Sequence, residues 1–233
     1  MLKVTDLHAG YEGSEVLHSL SMYVGDGESV VVLGPNGHGK STLLRAISGL
    51  IRPTAGQIEF DGQIISNKRA SDIVGTGVIH IPQGDLPFPE LTVMENLLMG
   101  AFRSEAWRER KQKLEQVFEL FPTLKERPNQ LARSLSGGER RMLALGRGLM
   151  SKAKLLMIDE PSLGLAPFLV EDVYETIRNI RKTGMSILLA DENADHVADL
   201  ADRVYLLEAG TLIKEGTASE MLRDEALLAA YLG

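Results

Sequence analysis

The 233-residue sequence contains no cysteine, so neither a disulfide framework nor a cysteine metal site is available to it. That absence suits a reducing compartment. No stretch approaches the roughly 18 consecutive apolar residues needed to cross a bilayer. The opening Met1-Leu2-Lys3-Val4-Thr5-Asp6 has neither a basic nor an apolar leader region, so export is not expected. Positive charge is in deficit: 25 Lys and Arg against 32 Asp and Glu give a net charge of −7. Such a balance argues against nucleic acid as the main partner. Repeats and low-complexity tracts are also missing. What remains, 44% hydrophobic and 24% charged, is ordinary for a globular α/β chain with a sizeable core.

The most informative stretch runs from Leu33 through Gly34-Pro35-Asn36-Gly37-His38-Gly39-Lys40-Ser41-Thr42. The run Glu28-Ser29-Val30-Val31-Val32 before it, β-branched and apolar, reads as a buried strand, and Leu43-Leu44-Arg45-Ala46-Ile47 after it as a helix. Strand, glycine loop and helix form the context in which G-x-x-x-x-G-K-[ST] cradles phosphates. Gly34, Gly37 and Gly39 let backbone N–H groups wrap an anion, and the helix N-terminus at Lys40 adds its partial positive charge. Lys40 can reach the terminal phosphates, and the Ser41 hydroxyl can ligate Mg²⁺.

Elsewhere the pattern predicts strands at 2–7, 16–24, 56–60 and 77–81, with Gly10-Tyr11-Glu12-Gly13 as a turn. Residues 88–150 read as a mainly helical lobe inserted into the core. There Leu114, Val117, Phe118 and Phe121 line one helix face. The core resumes with strands at 154–160 and 185–189, helices at 167–182 and 194–202, a hairpin around Ala209-Gly210, and two closing helices. Strands alternating with helices imply a mostly parallel sheet covered on both faces.

Two further stretches carry chemistry. Leu155 to Ile158 is an apolar run closing on Asp159 and Glu160, at the strand end where ligands of open α/β sheets bind. Asp159 can hold Mg²⁺, and Glu160 can accept a proton from an attacking water. Leu135-Ser136-Gly137-Gly138-Glu139 supplies a helix N-cap and a glycine pair, a second anion cradle about a hundred residues from the first. One lobe has no use for two cradles on one nucleotide, whereas a two-fold dimer uses both.

Together with Gln83 and Pro161-Ser162-Leu163-Gly164-Leu165, these motifs resemble an ATP-binding cassette ATPase over essentially the whole chain. Glu119-Leu120-Phe121-Pro122, Met142-Leu143-Ala144, Ala166-Pro167 and the ending Ala230-Tyr231-Leu232-Gly233 resemble the subfamily that powers branched-chain amino-acid importers. The resemblance implies a P-loop NTPase fold with a RecA-like core, an antiparallel β subdomain and an inserted helical subdomain, forming one domain over 1–233. It also implies ATP and Mg²⁺ as ligands, with Tyr11 stacking on adenine beside Val16. Asn36 to Thr42 would hold the phosphates, with Ser41, Gln83 and Asp159 near the metal. Lys40, Gln83 and Glu160 would be catalytic, and Ser136, Gly137, Gly138 and Glu139 would close over a partner's ATP. Expected partners are transmembrane permease subunits, a second ATPase subunit, identical or different, and indirectly a solute-binding protein. The place would be the cytoplasmic face of the inner membrane.

Three departures stand out. His38 sits where the family carries a small residue, and is expected to point away from the phosphates. Arg140 and Arg141 replace glutamines, as a solvated pair or as contacts to a second copy. Glu192 occupies the switch position that usually holds histidine, and near a triphosphate it should turn away or take up a proton. His196 is expected on a helix surface one turn beyond. The rival readings are a weakly hydrolysing cassette that completes a partner's site, and a soluble cassette outside transport. Leu86-Pro87-Phe88-Pro89, apolar for a loop, reads as a contact surface for the membrane partner or as packing under the lobe.

Overall fold

A computed structural model describes residues 1–84, 87–221 and 223. Among the described residues, ten strands form two sheets, packed with nine α-helices. The larger sheet draws on Ser29–Leu33 (β3), Val78–Ile81 (β6), Leu155–Asp159 (β7), Ser186–Asp191 (β8), Arg203–Glu208 (β9) and Thr211–Thr217 (β10). Its order is β10-β9-β3-β8-β7-β6, parallel except for the β9–β10 hairpin. The smaller sheet is antiparallel, in the order β2-β1-β4-β5, from Leu2–Tyr11 (β1), Ser14–Val24 (β2), Ala55–Phe60 (β4) and Gln63–Ile64 (β5).

The apolar runs 29–33, 155–159 and 186–191 are buried along their whole length because the sheet is covered on both faces. Side chains alternate between the faces with period two. Val30, Val32, Leu155, Met157 and Leu188 pack with the antiparallel sheet and the helix Lys40–Ile47 (α1). Val31, Leu156, Ile158, Ile187 and Leu189 pack with the helices on the other side.

Those helices include Val93–Gly100 (α3), Ser104–Leu120 (α4), Pro122–Glu126 (α5) and Gly137–Leu149 (α6), all between β6 and β7. Val117, Phe121 and partly buried Leu114 and Phe118 join the core they share, as the helical spacing predicts. Two of these helices begin with reciprocal capping boxes, Thr92 with Glu95 and Ser136 with Glu139. Each such cap is worth about 1 kcal/mol. The helix Pro167–Lys182 (α7) starts on proline and ends on Arg181 and Lys182, which suit the negative end of its dipole.

The structure departs from the sequence reading at three places. Tyr11 belongs to β1, because its pairing with Ser14 extends the ladder into the expected turn. Ala70–Thr76 forms an unexpected short helix (α2) with only Ile73 buried, so it has no periodic apolar face to reveal it. The helix expected over 194–202 shrinks to Val197–Leu200 (α8). Of the two closing helices, Ala218–Met221 (α9) is described; the second, with the ending 230–233, lies outside the described residues. No helix among the described residues is long and apolar enough to cross a membrane.

Candidate functional site

The ends of three neighbouring strands bring the predicted groups together. β3 delivers the phosphate loop, β7 delivers Asp159 and Glu160, and β8 delivers Asp191 and Glu192. The loop glycines differ in what they do. Gly39 caps α1 with a φ of 108°, a conformation that L side chains rarely adopt. Gly34 instead allows close packing, since a Cβ there would stand 2.3 Å from the Leu207 carbonyl oxygen. That close approach seats the loop against β9.

Lys40 is buried at the first turn of α1. Its Nζ donates to the Gly34 and Pro35 carbonyls at 2.7 and 3.1 Å and lies 3.1 Å from Glu160 Oε1. The other Glu160 oxygen accepts from Gln83 Nε2 at 2.8 Å. Glu160 has a φ of 44°, a backbone conformation costing roughly 1–3 kcal/mol for a residue with a Cβ. The bond from its N–H to the Ala190 carbonyl, 2.9 Å, helps hold it there. A carboxylate is thus fixed from two sides at the strand ends.

Ser41 Oγ donates to Asp159 Oδ1 at 3.0 Å. The second Asp159 oxygen is buried with no hydrogen-bond partner. Burial is the main cause that raises the Asp159 pKa, with the Glu160 charge adding to it and the Ser41 bond opposing it. A buried carboxylate oxygen left unmatched beside a hydroxyl fits a divalent cation. No group of three or more His, Cys, Asp or Glu side chains suited to a metal occurs among the described residues. The Asp159 oxygen and the Ser41 hydroxyl fit Mg²⁺, which takes one or two protein oxygens and fills the rest with water and phosphate.

The remaining predicted residues fall into place around this centre. The Tyr11 hydroxyl accepts from Arg45 Nη1 of α1 at 2.7 Å, and its ring is 49% exposed. Val16 lies against Gly39, whose Cβ would be 3.4 Å from Val16 Cγ1. His38 turns away from the loop mouth as expected: its Nδ1 accepts from the Ala209 N–H at 3.2 Å. Glu192 does not turn away. Its carboxylate accepts from Asn36 Nδ2 of the phosphate loop at 2.5 Å.

His196 is no helix-surface residue. It stands in the turn before α8 and stacks on Tyr174 with centroids 3.8 Å apart. The Tyr174 hydroxyl in turn donates to Asp191. Neither Tyr174 nor Asp191 is singled out by sequence reasoning. The available signal is that Asp191 closes the apolar run of β8 just as Asp159 closes that of β7.

The second cradle opens α6. Ser136 and Glu139 satisfy each other's backbone N–H groups, and Arg127 Nη1 donates to Glu139 at 2.8 Å. A Cβ on Gly137 or Gly138 would stand 3.2 Å from Leu165 or Leu169. Arg141 is not a solvated residue: it is 1% exposed, and its guanidinium reaches the carbonyls of Gly84 and Leu163 at 3.4 and 3.5 Å. Arg140 Nη1 donates to the Leu135 carbonyl at 2.7 Å.

A groove of about 620 Å³ lies beside Gln83, lined by Ile81, Phe88, Met99, Phe102, Ala144 and Arg147 among others. Phe88, Met99 and Phe102 are exposed, and Arg147 sits 5.2 Å from the Phe88 ring centroid. Leu86 lies outside the described residues. Buried Asn96 pins the segment behind the groove through the Phe88 N–H and the carbonyls of Phe88, Leu91 and Thr92.

Comparison with known proteins agrees with this geometry. A family model described as ABC transporter matches residues 17–163. The high-affinity branched-chain amino acid transport ATP-binding protein BraG of Pseudomonas aeruginosa is 40% identical over 233 residues, covering all of both chains. The lipopolysaccharide export system ATP-binding protein LptB of Haemophilus influenzae is 33% identical over 235 residues, covering 100% of this chain and 97% of its own. A solved structure described as the ADP conformation of an ATP-binding cassette of an ABC transporter superposes with a TM-score of 0.84 at 28% identity. It covers 100% of this chain and 98% of its own.

Proposed function

The chain belongs to the ABC transporter family of ATP-binding cassettes, and from that premise we propose that it is the ATP-hydrolysing subunit of an importer for branched-chain or related amino acids. The observation that carries the reading is the convergence of Lys40, Ser41, Gln83, Asp159 and Glu160 at adjoining strand ends, with an unmatched Asp159 oxygen. The full-length likeness to BraG supplies the solute class.

Catalysis in this reading is positioning and charge neutralisation. The buried Lys40 ammonium, already held by two carbonyls, faces the β- and γ-phosphates of ATP. Ser41 and Asp159 would hold Mg²⁺, which would neutralise charge on the phosphates. Glu160 accepts the proton of the attacking water, and Gln83 orients that carboxylate. Tyr11 and Val16 flank adenine. Ser136 to Glu139 close over the ATP of a second cassette, so hydrolysis and dimer closure are coupled. The segment 88–150 is the helical arm that carries this closing surface.

The groove at Phe88, Met99, Phe102 and Arg147 is where a permease subunit docks. Its exposed aromatic rim beside Gln83 supports that assignment. The chain then works peripherally at the cytoplasmic face of the membrane, and a solute-binding protein reaches it only through the permease. Affinity purification of the tagged chain from its own membranes should recover a permease. Hydrolysis by the reconstituted complex should rise with leucine, isoleucine or valine in the presence of the solute-binding protein. The likeness to LptB favours a second reading, export of a lipid-linked saccharide. Recovery of membrane partners that respond to lipopolysaccharide and ignore amino acids would establish it instead.

A further inference from the structure

Tyr174 stands in the middle of α7 and is fully buried, and Asp191, which accepts its hydroxyl proton, is 2% exposed. A phenylalanine facing an apolar residue would fill the same volume without bringing a hydroxyl and a carboxylate out of water. The pair is therefore expensive unless both polar groups are used.

Both are used, and by two different loops. Asp191 Oδ1 accepts the N–H groups of Glu192 and Asn193 at 2.8 and 3.1 Å, which fixes the turn that carries Glu192 to Asn36. The Tyr174 hydroxyl also lies 3.2 Å from Ser162 Oγ, two residues beyond Glu160 in the loop after β7. The same loop bonds back to the Glu160 carbonyl through the Leu163 N–H at 3.2 Å. His196 stacks on the ring from outside and buries its face, while the hydroxyl is held by Asp191 and Ser162. Burial and the neighbouring Asp191 carboxylate raise the Tyr174 pKa, so the hydroxyl stays a donor.

We propose that the Tyr174 hydroxyl is a positioning residue for hydrolysis, tying Ser162 to the Asp191–Asn193 turn so that the two loops flanking Glu160 hold one register. It acts through Ser162 and Asp191 and does not itself touch nucleotide. The inference rests on the ATPase reading.

The test compares ATP hydrolysis with Mg²⁺ and thermal stability of the full-length chain in four variants. Y174F removes the hydroxyl and keeps the ring. Its kcat should fall about tenfold, with KM for ATP changing less than twofold. S162A breaks the other arm and should lower kcat in the same way, and Y174F/S162A should be no slower than Y174F alone. H196A removes the stacking ring and leaves the hydroxyl bonds; it should lower Tm and leave kcat unchanged.

Wild-type kcat in Y174F would overturn the proposal, as would kcat falling in step with Tm across Y174F and H196A. If Y174F does not fold, S162A decides: wild-type kcat there overturns the proposal, and a selective fall in kcat supports it. Absence of hydrolysis by the wild-type chain, with or without its membrane partner, would instead strike the ATPase reading itself.

Discussion

Lys40 Nζ lies 3.1 Å from Glu160 Oε1, and both side chains are buried where the phosphate loop meets the end of β7. A buried pair of this kind is costly to break from one side, because the group left behind has lost its water. The lysine and the carboxylate proposed above to contact the phosphates and to accept a proton are thus held in one geometry.

Replacing Glu160 by Gln keeps the size of the side chain and its contact with Gln83 but removes the proton acceptor. ATP binding should persist and turnover should drop at least about a hundredfold. Equilibrium nucleotide binding alongside single-turnover hydrolysis measures both, and wild-type turnover would show that Glu160 is not the base.

Asp159→Asn separates stability from function. The folded protein raises the Asp159 pKa by burial, so the carboxylate favours folding while protonated. That favourable contribution is full below the ordinary carboxylate range and is lost as pH rises through the folded-state pKa. At neutral pH the neutral amide should therefore raise Tm by a few degrees, as judged by calorimetry in EDTA. The Mg²⁺ concentration for half-maximal hydrolysis should rise about tenfold or more.

His80, in β6, gives a pH signature. Burial, with the Arg45 charge adding to it, pushes its pKa down from 6.5 to about 4. The unfolded chain then binds the extra proton first, so stability is full above pH 6.5 and falls as pH drops toward 4. The stability difference between wild type and His80→Gln should grow by about 2 kcal/mol from pH 5 to pH 7. Urea denaturation at each pH measures it, and parallel curves would contradict the assignment.

Glu192→Gln keeps an oxygen that can accept from Asn36 and removes one negative charge from the phosphate loop's edge. KM for ATP should fall roughly three- to tenfold, the worth of about 1 kcal/mol for a unit charge in a solvated site. An unchanged KM, measured at fixed ionic strength, would place Glu192 outside the field felt by the triphosphate.

The phosphate loop, the strand ending in Asp159 and Glu160, and the Ser136 cap were legible because each is a local pattern of backbone conformation and burial. The strand expected at 28–32 reads as buried from its side chains alone, and the capping box needs only Ser136 and a glutamate three residues on. What was not legible depends on distant pairings. Tyr174 sits at an ordinary inner position of an amphipathic helix, and only the fold brings it to Asp191. Glu192 and Asn36 are 156 residues apart in the chain, so charge repulsion was foreseeable and the amide that receives the carboxylate was not. Arg141 read as surface because arginine is almost never fully buried, and here two loop carbonyls take it in.

That buried guanidinium has a mechanical consequence. Arg141 and Arg147 stand on the same helix, about 9 Å apart along its axis, one gripping the backbone behind Gln83 and beyond Ser162, the other facing the groove. A rigid rod with such anchors is a lever arm. Under the docking proposed above, a push delivered at the groove would turn α6 as a unit and carry Gly84 and Leu163 with it, so displacement of the partner would reach the loops that hold Gln83 and Ser162 without passing through solvent-exposed side chains.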